Sequence, residues 1–261
     1  MGDIGPVCRP APTTNPFQER KNHDHEGAGS ERLAMSQRNR LTPGRKRSLS
    51  SRRWLERQLA DPYVAKARRL GFRSRAAFKL IEIDDRYRLL RFGARVVDLG
   101  AAPGGWTQVA VDRTRAREPG GGRVVAVDLL EMEPVGGAIA LQLDFFEEAA
   151  PALIRDVLGG PADVVLSDMA PSSSGHPDVD HLRIVALVEA AVAFAFDVLA
   201  PGGAMVAKVR QGGTEHRLLA AMKRAFASVR HVKPPASRPE SAEVYVVAIG
   251  FRGVAGATPG E

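Results

Sequence analysis

The segment that decides the fold reads Asp98-Leu99-Gly100-Ala101-Ala102-Pro103-Gly104-Gly105-Trp106. It closes a short strand-like run, Arg95–Leu99, and a helix-compatible segment follows it. Small residues in a strand-to-helix turn let the backbone approach a ligand, and the amino terminus of the helix offers free N–H groups. The turn therefore predicts a ligand site at the carboxyl end of the first strand of an α/β fold.

The spacing of the glycines in this turn limits the class of ligand. It differs from the dinucleotide pattern Gly-x-Gly-x-x-Gly, and it lacks the Gly-Lys-Ser/Thr end of a phosphate-binding P-loop. A nucleoside with little or no phosphate fits the turn better. A nicotinamide-dependent oxidoreductase would share the strand–helix start and Asp128, but it needs the phosphate-binding glycines that are missing here.

Strand-like and helix-compatible segments alternate through the body of the chain. The strand-like runs are rich in Val and lack polar alternation, which is typical of a mainly parallel sheet with both faces covered by helices. The predicted strands after the first are Arg123–Asp128, Ala138–Leu143, Asp163–Ser167, Ala204–Val209 and Glu243–Phe251. The clearest predicted helices are Leu182–Leu199 and Glu215–Phe226. The alternation predicts one α/β domain.

Aspartates stand in succession where predicted strands end. Asp128 lies 23 residues after Gly105, near the ~20-residue offset at which an acid binds ribose hydroxyls in doubly wound folds. Asp144 and Asp168 follow the third and fourth strands, and Asp98 belongs to the first. A single such Asp is more often a helix cap or a loop acceptor. Their succession at the edge where these folds bind ligands predicts a binding site.

Two lysines and a glutamate complete the candidate site. Lys208 lies near the end of an apolar strand, Lys79 lies on the helix before the first strand, and Glu243 opens the last strand. If the last strand runs antiparallel to the others, Glu243 faces Asp168 and Lys208 across the same edge. Taken singly, Lys79 is a typical surface lysine and Glu243 a typical strand-opening residue, so it is their convergence that favours function.

The composition excludes several classes of protein. One cysteine, Cys8, in 261 residues cannot form an internal disulfide or a thiolate zinc cluster, and the six histidines are scattered, so no metal site is expected. No apolar run reaches the ~20 residues of a membrane helix, and the first residues lack the pattern of a secretory signal. We therefore expect a soluble, cytoplasmic protein. We also expect it to be a monomer.

The positive charge is concentrated at the front of the chain. The net charge is +7 overall, with +6 over residues 1–53, +4 over 54–90 and −3 over 91–261. We predict a disordered basic extension over 1–53, a folded domain over 54–252 and a flexible tail over 253–261. A predicted phosphate-binding surface comprises Arg45, Lys46, Arg47, Arg52, Arg53, Lys66, Arg68, Arg69, Arg73 and Arg75. The alternative for the first 50 residues is a solubilising tail.

Four motifs, in their order along the chain, resemble one enzyme family. They are Asp98–Trp106, Ser167–Pro171, Lys208 with Gln211-Gly212, and Glu243-Val244-Tyr245. Together they resemble the FtsJ/RrmJ family of ribosomal RNA 2′-O-methyltransferases, of the bacterial RlmE type, over roughly Trp54 to Arg252. The resemblance implies a Rossmann-like S-adenosylmethionine-dependent methyltransferase fold, with a mostly parallel seven-stranded sheet, an antiparallel last strand and helices on both faces.

The resemblance also implies the roles of single residues. The residues implied to bind S-adenosylmethionine are Gly104, Trp106, Asp128, Asp144 and Asp168. The implied catalytic set is Lys208, Lys79, Asp168 and Glu243. Lys208 is the central residue, acting as a base or orienting the acceptor oxygen. The implied substrate is a uridine ribose in the A loop of 23S rRNA, in the large ribosomal subunit.

The chain departs from this family at two places. Residues 1–50 have no counterpart in the short bacterial members, and Arg210 stands where an apolar or aromatic residue is expected. Two alternatives to an rRNA enzyme are a tRNA ribose 2′-O-methyltransferase of the same family and a non-catalytic RNA-binding factor for ribosome assembly. The presence of all four catalytic-type residues argues against the non-catalytic factor.

Overall fold

The computed structural model describes residues 61–171, 177–210 and 216–253, so the predicted extension 1–53 and the chain after residue 253 lie outside the described residues. The helices are α1 (Pro62–Leu70), α2 (Ala77–Tyr87), α3 (Gly105–Thr114), α4 (Ala150–Leu158), α5 (Pro177–Val198) and α6 (His216–Ala225). The strands are β1 (Arg95–Leu99), β2 (Arg123–Asp128), β3 (Ala138–Gln142), β4 (Ala162–Ser167), β5 (Leu199–Arg210), β6 (Phe226–Val232) and β7 (Glu243–Phe251). Within these ranges, no helix combines the length and apolar character needed to cross a membrane.

The seven strands form one sheet in the order β3-β2-β1-β4-β5-β7-β6. Neighbouring strands pair in parallel, except that β7 pairs antiparallel with both β5 and β6. The strand order changes direction between β1 and β4, and ligands of open α/β sheets bind at such a point, outside the carboxyl ends of the strands. The predicted fold class is confirmed, including the antiparallel last strand.

Side chains alternate between two cores along each strand. Val96 and Val124 pack in one core with residues of α2 and α3. Their neighbours Val97 and Val125 pack in the other core, with residues of α4, α5 and α6. Since successive side chains of a strand point to opposite faces, both faces of the sheet are covered. The period of two also fixes which face each functional side chain occupies.

The helix α2 ends earlier than its apolar periodicity suggests. The spacing continues to Leu90, but Arg88 adopts a left-handed conformation with φ of 53°, which ends the helix after Tyr87. The buried Asp84 then accepts hydrogen bonds from the N–H groups of Leu89 (2.9 Å) and Leu90 (2.8 Å). The two leucines are therefore buried in a loop that a helix carboxylate holds in place.

The residue pattern alone missed β6. It predicted a helix through Phe226, whereas α6 ends at Ala225 and Phe226 opens the strand. The strand lies at an edge of the sheet beside β7, and Arg230 and His231 on it are exposed. An edge strand that is partly exposed lacks the continuous apolar run of the inner strands, so its pattern in the sequence is weak.

The turn after β1 is held against the end of β2. The N–H groups of Gly100 and Ala101 donate to the carbonyl oxygen of Val127 at 2.9 and 3.2 Å. Gly100 has a φ of 70°, and a Cβ atom there would overlap the side chain of Met169. The peptide bond between Ala102 and Pro103 is cis. The path of the turn therefore requires glycine at position 100.

We expect Gly100→Ala to lower the free energy of unfolding more than Gly202→Ala does. Gly202 has a similar φ of 83°, but apart from its two neighbours in the chain no atom of the described residues lies within 4 Å of its Cβ position. The Gly202 change costs only the left-handed conformation, about 1–2 kcal/mol. The Gly100 change adds the overlap with Met169, about 1–3 kcal/mol more. Urea denaturation measures both values, and equal losses would show that Met169 does not constrain the turn.

Candidate active site

The carboxyl edge of the sheet gathers functional side chains on the face that α2 and α3 cover. They are Asp98 of β1, Asp128 of β2, Asp168 after β4, Lys208 of β5 and Glu243 of β7. Each continues the alternation of a strand whose other members, such as Val96 and Val206, lie in the core beneath α2 and α3. The structure thus brings to one edge the acids and the lysine that the sequence placed at strand ends.

Lys208 and Asp168 form a close pair at the centre of this edge. The Lys208 ammonium donates to the backbone oxygen of Asp168 at 2.7 Å, and its Nζ lies 3.1 Å from the Asp168 carboxylate. The side chains are 12% and 17% exposed. Because an ammonium group has three N–H donors, two contacts to Asp168 leave one donor for a ligand.

Tyr245 is a member of the site that the residue list from the sequence omitted. Its hydroxyl donates to Oδ1 of Asp168 at 2.7 Å, and its side chain is fully buried. Burial, followed by the nearby Asp168 carboxylate, raises the pKa of Tyr245 well above its ordinary value, so the hydroxyl keeps its proton. The available signal in the sequence was the alternation of side chains along a strand, because Tyr245 stands two residues after Glu243 and shares its face. In the structure Tyr245 stands opposite Lys208.

Lys79 reaches the same edge from α2. Its Nζ lies 3.3 Å from the carboxylate of Glu243 and 5.6 Å from the centre of the Tyr245 ring. The Lys79 side chain is 8% exposed and that of Glu243 is 43% exposed. Burial alone would raise the pKa of Glu243, but the ammonium groups of Lys79 and Lys208 outweigh it and lower the pKa. The Lys79–Glu243 pair and the Lys208–Asp168 pair therefore each have a member beside Tyr245.

Asp98 lies beneath the edge, close to two other carboxyl groups. It is buried, and its carboxylate accepts a hydrogen bond from the Thr107 hydroxyl at 2.6 Å. Burial raises the pKa of Asp98 to about 7; the Thr107 hydrogen bond opposes this effect, and the carboxylates of Asp168 and Asp128 add to it. Three carboxylates are therefore close enough to interact, which makes this part of the edge favourable to a cation.

Asp128 and Asp144 lie at the ends of adjacent strands. The Asp128 carboxylate accepts the N–H groups of Ala102 (2.9 Å) and Leu130 (2.8 Å), so it joins the turn after β1 to the loop after β2. Its backbone oxygen accepts the N–H of Leu143 at 3.0 Å, next to Asp144. A cavity of about 110 Å³ opens beside Asp128. Both aspartates thus flank the space beyond β2 and β3.

Gly104 and Trp106 stand at the start of α3. Gly104 has a φ of 108°, and a Cβ atom there would lie 2.9 Å from the Arg73 guanidinium. The Trp106 side chain packs in the core, where its Nε1–H donates to the backbone oxygen of Ala76 at 2.8 Å. For Trp106, the group available to a ligand is therefore the backbone N–H in the first turn of the helix.

Arg73 ties two loops of this region together. Its guanidinium donates to the backbone oxygens of Pro103 (3.1 Å), Glu133 (2.5 Å) and Pro134 (2.7 Å). A cavity of about 710 Å³ lies between Pro103 and the loop that leads to Glu133. The sequence placed Arg73 among the phosphate contacts, but in the structure its donors are used to hold the wall of a cavity.

The other predicted phosphate contacts, on α1 and in the turn before α2, differ in exposure. Arg75 lies 3.0 Å from the buried carboxylate of Asp61, and its side chain is 16% exposed. Arg68 and Arg69, at the end of α1, are exposed. The last two remain available to an anion, whereas Arg75 stabilises the fold. Arg45, Lys46, Arg47, Arg52 and Arg53 lie outside the described residues.

Comparisons with known proteins agree on one family. The FtsJ-like methyltransferase model matches residues 72–251. The chain is 61% identical over 215 residues to a ribosomal RNA large subunit methyltransferase E from Paramagnetospirillum magneticum, across 82% of this chain and 88% of that protein. A protein of the same name from Granulibacter bethesdensis is 60% identical over 212 residues, across 81% and 90%. The crystal structure of a ribosomal RNA methyltransferase from Plasmodium falciparum matches with a TM-score of 0.61 and 27% identity, across 70% of this chain and 100% of that one.

Within the described ranges, no cluster of three or more His, Cys, Asp or Glu side chains has the arrangement of a metal site.

We expect Asp98→Asn to change how stability depends on pH. The folded protein keeps the Asp98 proton up to about pH 7, whereas an unfolded chain loses it near pH 4, as an ordinary Asp does (about 3.9). Between these values the folded state binds more protons, so rising pH lowers the free energy of unfolding by up to about 1.4 kcal/mol per pH unit.

Asn carries no charge in this range and lacks that contribution. The free energy of unfolding of the wild type minus that of Asp98→Asn should therefore fall from pH 5 to pH 7 and level off above it. Urea denaturation at each pH gives the difference. A difference that stays constant with pH would show that Asp98 is ionised throughout.

Proposed function

Because the chain belongs to the FtsJ-like methyltransferase family, we propose that it transfers a methyl group to ribosomal RNA. The proposed donor is S-adenosylmethionine, and the proposed acceptor is a ribose 2′-hydroxyl. The observation that carries the proposal is the joined set of side chains at the sheet edge. Lys208 and Tyr245 share Asp168, and Lys79 pairs with Glu243 beside them. These side chains provide fixed polar groups that can bind a hydroxyl. The aspartates beside them can attract a cation.

The charge of the edge supports S-adenosylmethionine as the donor. Asp98, Asp128 and Asp168 interact closely enough to raise a pKa, so a sulfonium is attracted there and the pyrophosphate of a dinucleotide is repelled. Gly104 has no Cβ atom, and the backbone of the turn can therefore approach the ligand closely. In the proposal, the donor is held by Gly104, the backbone N–H of Trp106, Asp128, Asp144 and Asp168. When bound, S-adenosylmethionine supplies a methyl group on a sulfonium, which is a good leaving group.

Lys208 is proposed to act on the acceptor hydroxyl. A ribose 2′-hydroxyl is a poor nucleophile until its proton leaves. Asp168, which Tyr245 holds by a hydrogen bond, fixes the Lys208 nitrogen at the edge. There Lys208 orients the 2′ oxygen and, in its neutral form, accepts the proton. Lys79 and Glu243 complete the set and balance its charge. Positioning of the two reactants accounts for much of the rate in such a transfer.

The proposed substrate is a uridine in the A loop of 23S rRNA, within the large ribosomal subunit. Relatives that are 60% and 61% identical are named as large-subunit rRNA methyltransferases. The exposed Arg68 and Arg69 and the net charge of +6 over residues 1–53 suit an RNA backbone. We propose that the protein acts in the cytoplasm as a monomer and that ribosomal RNA is its partner.

We expect Asp128→Ala to weaken donor binding. The change removes charge-assisted hydrogen bonds worth about 1.5–3 kcal/mol, which corresponds to roughly a 10–100-fold rise in Kd. Titration calorimetry with S-adenosylhomocysteine measures the effect, and thermal unfolding checks the fold. Asp144→Ala is the comparison variant and should lose less, because a contact to the neutral adenine is weaker. Unchanged affinity in a folded Asp128→Ala protein would remove Asp128 from the donor site.

We expect Lys208→Ala to lower kcat by about 100-fold or more. The donor affinity should stay within about threefold of wild type, because Lys208 acts on the acceptor in the transition state. Lys223, an exposed lysine on α6, gives the matched control variant Lys223→Ala. In cells lacking the protein, ribose-methylation mapping should show the loss of one 2′-O-methyluridine of the large-subunit rRNA. Wild type and Lys223→Ala should restore it, and Lys208→Ala should not.

The variant Lys208→Arg separates proton transfer from orientation. A guanidinium keeps the positive charge but cannot be deprotonated in a protein, so we expect nearly as large a loss as with alanine. Near-normal turnover would exclude proton acceptance by residue 208. In the mapping experiment, loss of a tRNA methyl group would indicate a tRNA enzyme instead. Full rescue by Lys208→Ala would indicate a non-catalytic assembly factor.

A further inference from the structure

Arg210 lies on the same face of β5 as Lys208 and is the last residue of that strand. In the pairing with β7, Lys208 stands opposite Tyr245 and Arg210 stands opposite Glu243. Residues two apart on a strand point to the same face and are separated by about 6.6 Å. Arg210 is therefore the next residue after Lys208 on this face of β5, and it lies farther from the core.

The surroundings of Arg210 leave its charge available. The residue is exposed and lines a cleft of about 360 Å³ together with Lys208, Glu240 and Glu243. Glu243 is engaged by Lys79 at 3.3 Å. Within the described part of the chain, the Arg210 guanidinium forms no ion pair with either glutamate. A cation that pairs with no acid among the described residues, beside a proposed acceptor site, is suited to an anion of the substrate.

The chemistry of RNA places an anion at this distance. The 2′ oxygen of a nucleotide is bonded to the carbon next to the one that carries the 3′ phosphodiester. A ribose whose 2′ oxygen lies at Lys208 therefore has a phosphate within reach of a long side chain one step along the strand. Arginine matches such a group with two parallel N–H donors.

We infer that Arg210 binds the phosphodiester on the 3′ side of the acceptor ribose, an inference that rests on the proposed methylation of RNA. The bond sets which way the RNA strand runs across the edge, with the 3′ phosphate toward Arg210 and the 2′ oxygen at Lys208. An apolar or aromatic residue at this position would lack that contact. Arg210 is thus a substrate-binding residue particular to chains that carry a cation here.

The test compares Arg210→Ala, Arg210→Lys and wild type on large ribosomal subunits that lack the methyl group. For Arg210→Ala we expect KM for the subunit to rise about tenfold, the size of one lost charge-assisted contact, while kcat stays within about threefold. The slope of log KM against log salt should fall by about 0.7–0.9, the value for one phosphate contact. Arg210→Lys should recover part of the KM and most of the slope, because it keeps the charge.

Arg91→Ala is the matched control, since Arg91 is exposed and lies before β1, at the opposite edge of the sheet. Equal KM values and slopes for Arg210→Ala and Arg91→Ala would overturn the inference, and so would a fall in kcat without a rise in KM. Unchanged affinity for S-adenosylhomocysteine checks that each variant folds. Absence of methyl transfer by the wild type would overturn the proposed function itself. The Arg210 inference would then still be tested by comparing the Arg210 and Arg91 variants in equilibrium binding of large-subunit rRNA without donor.

Discussion

The site depends on one partly buried carboxylate at the sheet edge, that of Asp168, and on the partners that it requires. A carboxylate with 17% exposure needs hydrogen-bond donors, and they come from two other strands. Lys208 of β5 forms an ion pair with the carboxylate and donates to the Asp168 backbone oxygen, and the Tyr245 hydroxyl of β7 donates to the carboxylate. These contacts form only when β4, β5 and β7 hold the observed register, in which Lys208 stands opposite Tyr245. The antiparallel strand is therefore part of the chemistry as well as of the sheet.

The balance of charge at the edge follows from this arrangement. Asp128 and Asp168 make the potential near Asp98 negative enough to help raise its pKa, whereas Lys79 and Lys208 provide positive charge on the side of β7. The edge thus has an acidic part suited to a sulfonium and a part with two ammonium groups suited to an oxygen. The same strand periodicity that separates the two cores places both parts on one face. A donor and an acceptor can be held side by side as a consequence.

Much of the fold was predictable because its inner strands are buried. The Val-rich runs gave the inner strands of the sheet, and the small-residue turn after Asp98 gave the ligand edge. β6 was missed because its partly exposed edge position allows Arg230 and His231. The end of α2 at Tyr87 does not follow from the pattern either, because the leucines beyond it keep helical spacing while Asp84 holds them in a loop. In both places the tertiary structure decides what the local pattern does not.

The sequence by itself determined that acids and a lysine end successive strands, since a period of two and a parallel sheet suffice to place them at one edge. Only the tertiary structure decided their partners. Tyr245 donates a hydrogen bond to Asp168, Lys79 forms an ion pair with Glu243, and the guanidinium of Arg73 holds two loops together. The partners in these contacts lie 30 to 164 positions apart in the chain. The physical reason is that hydrogen bonds depend on distances of about 3 Å, which packing fixes and sequence periodicity does not.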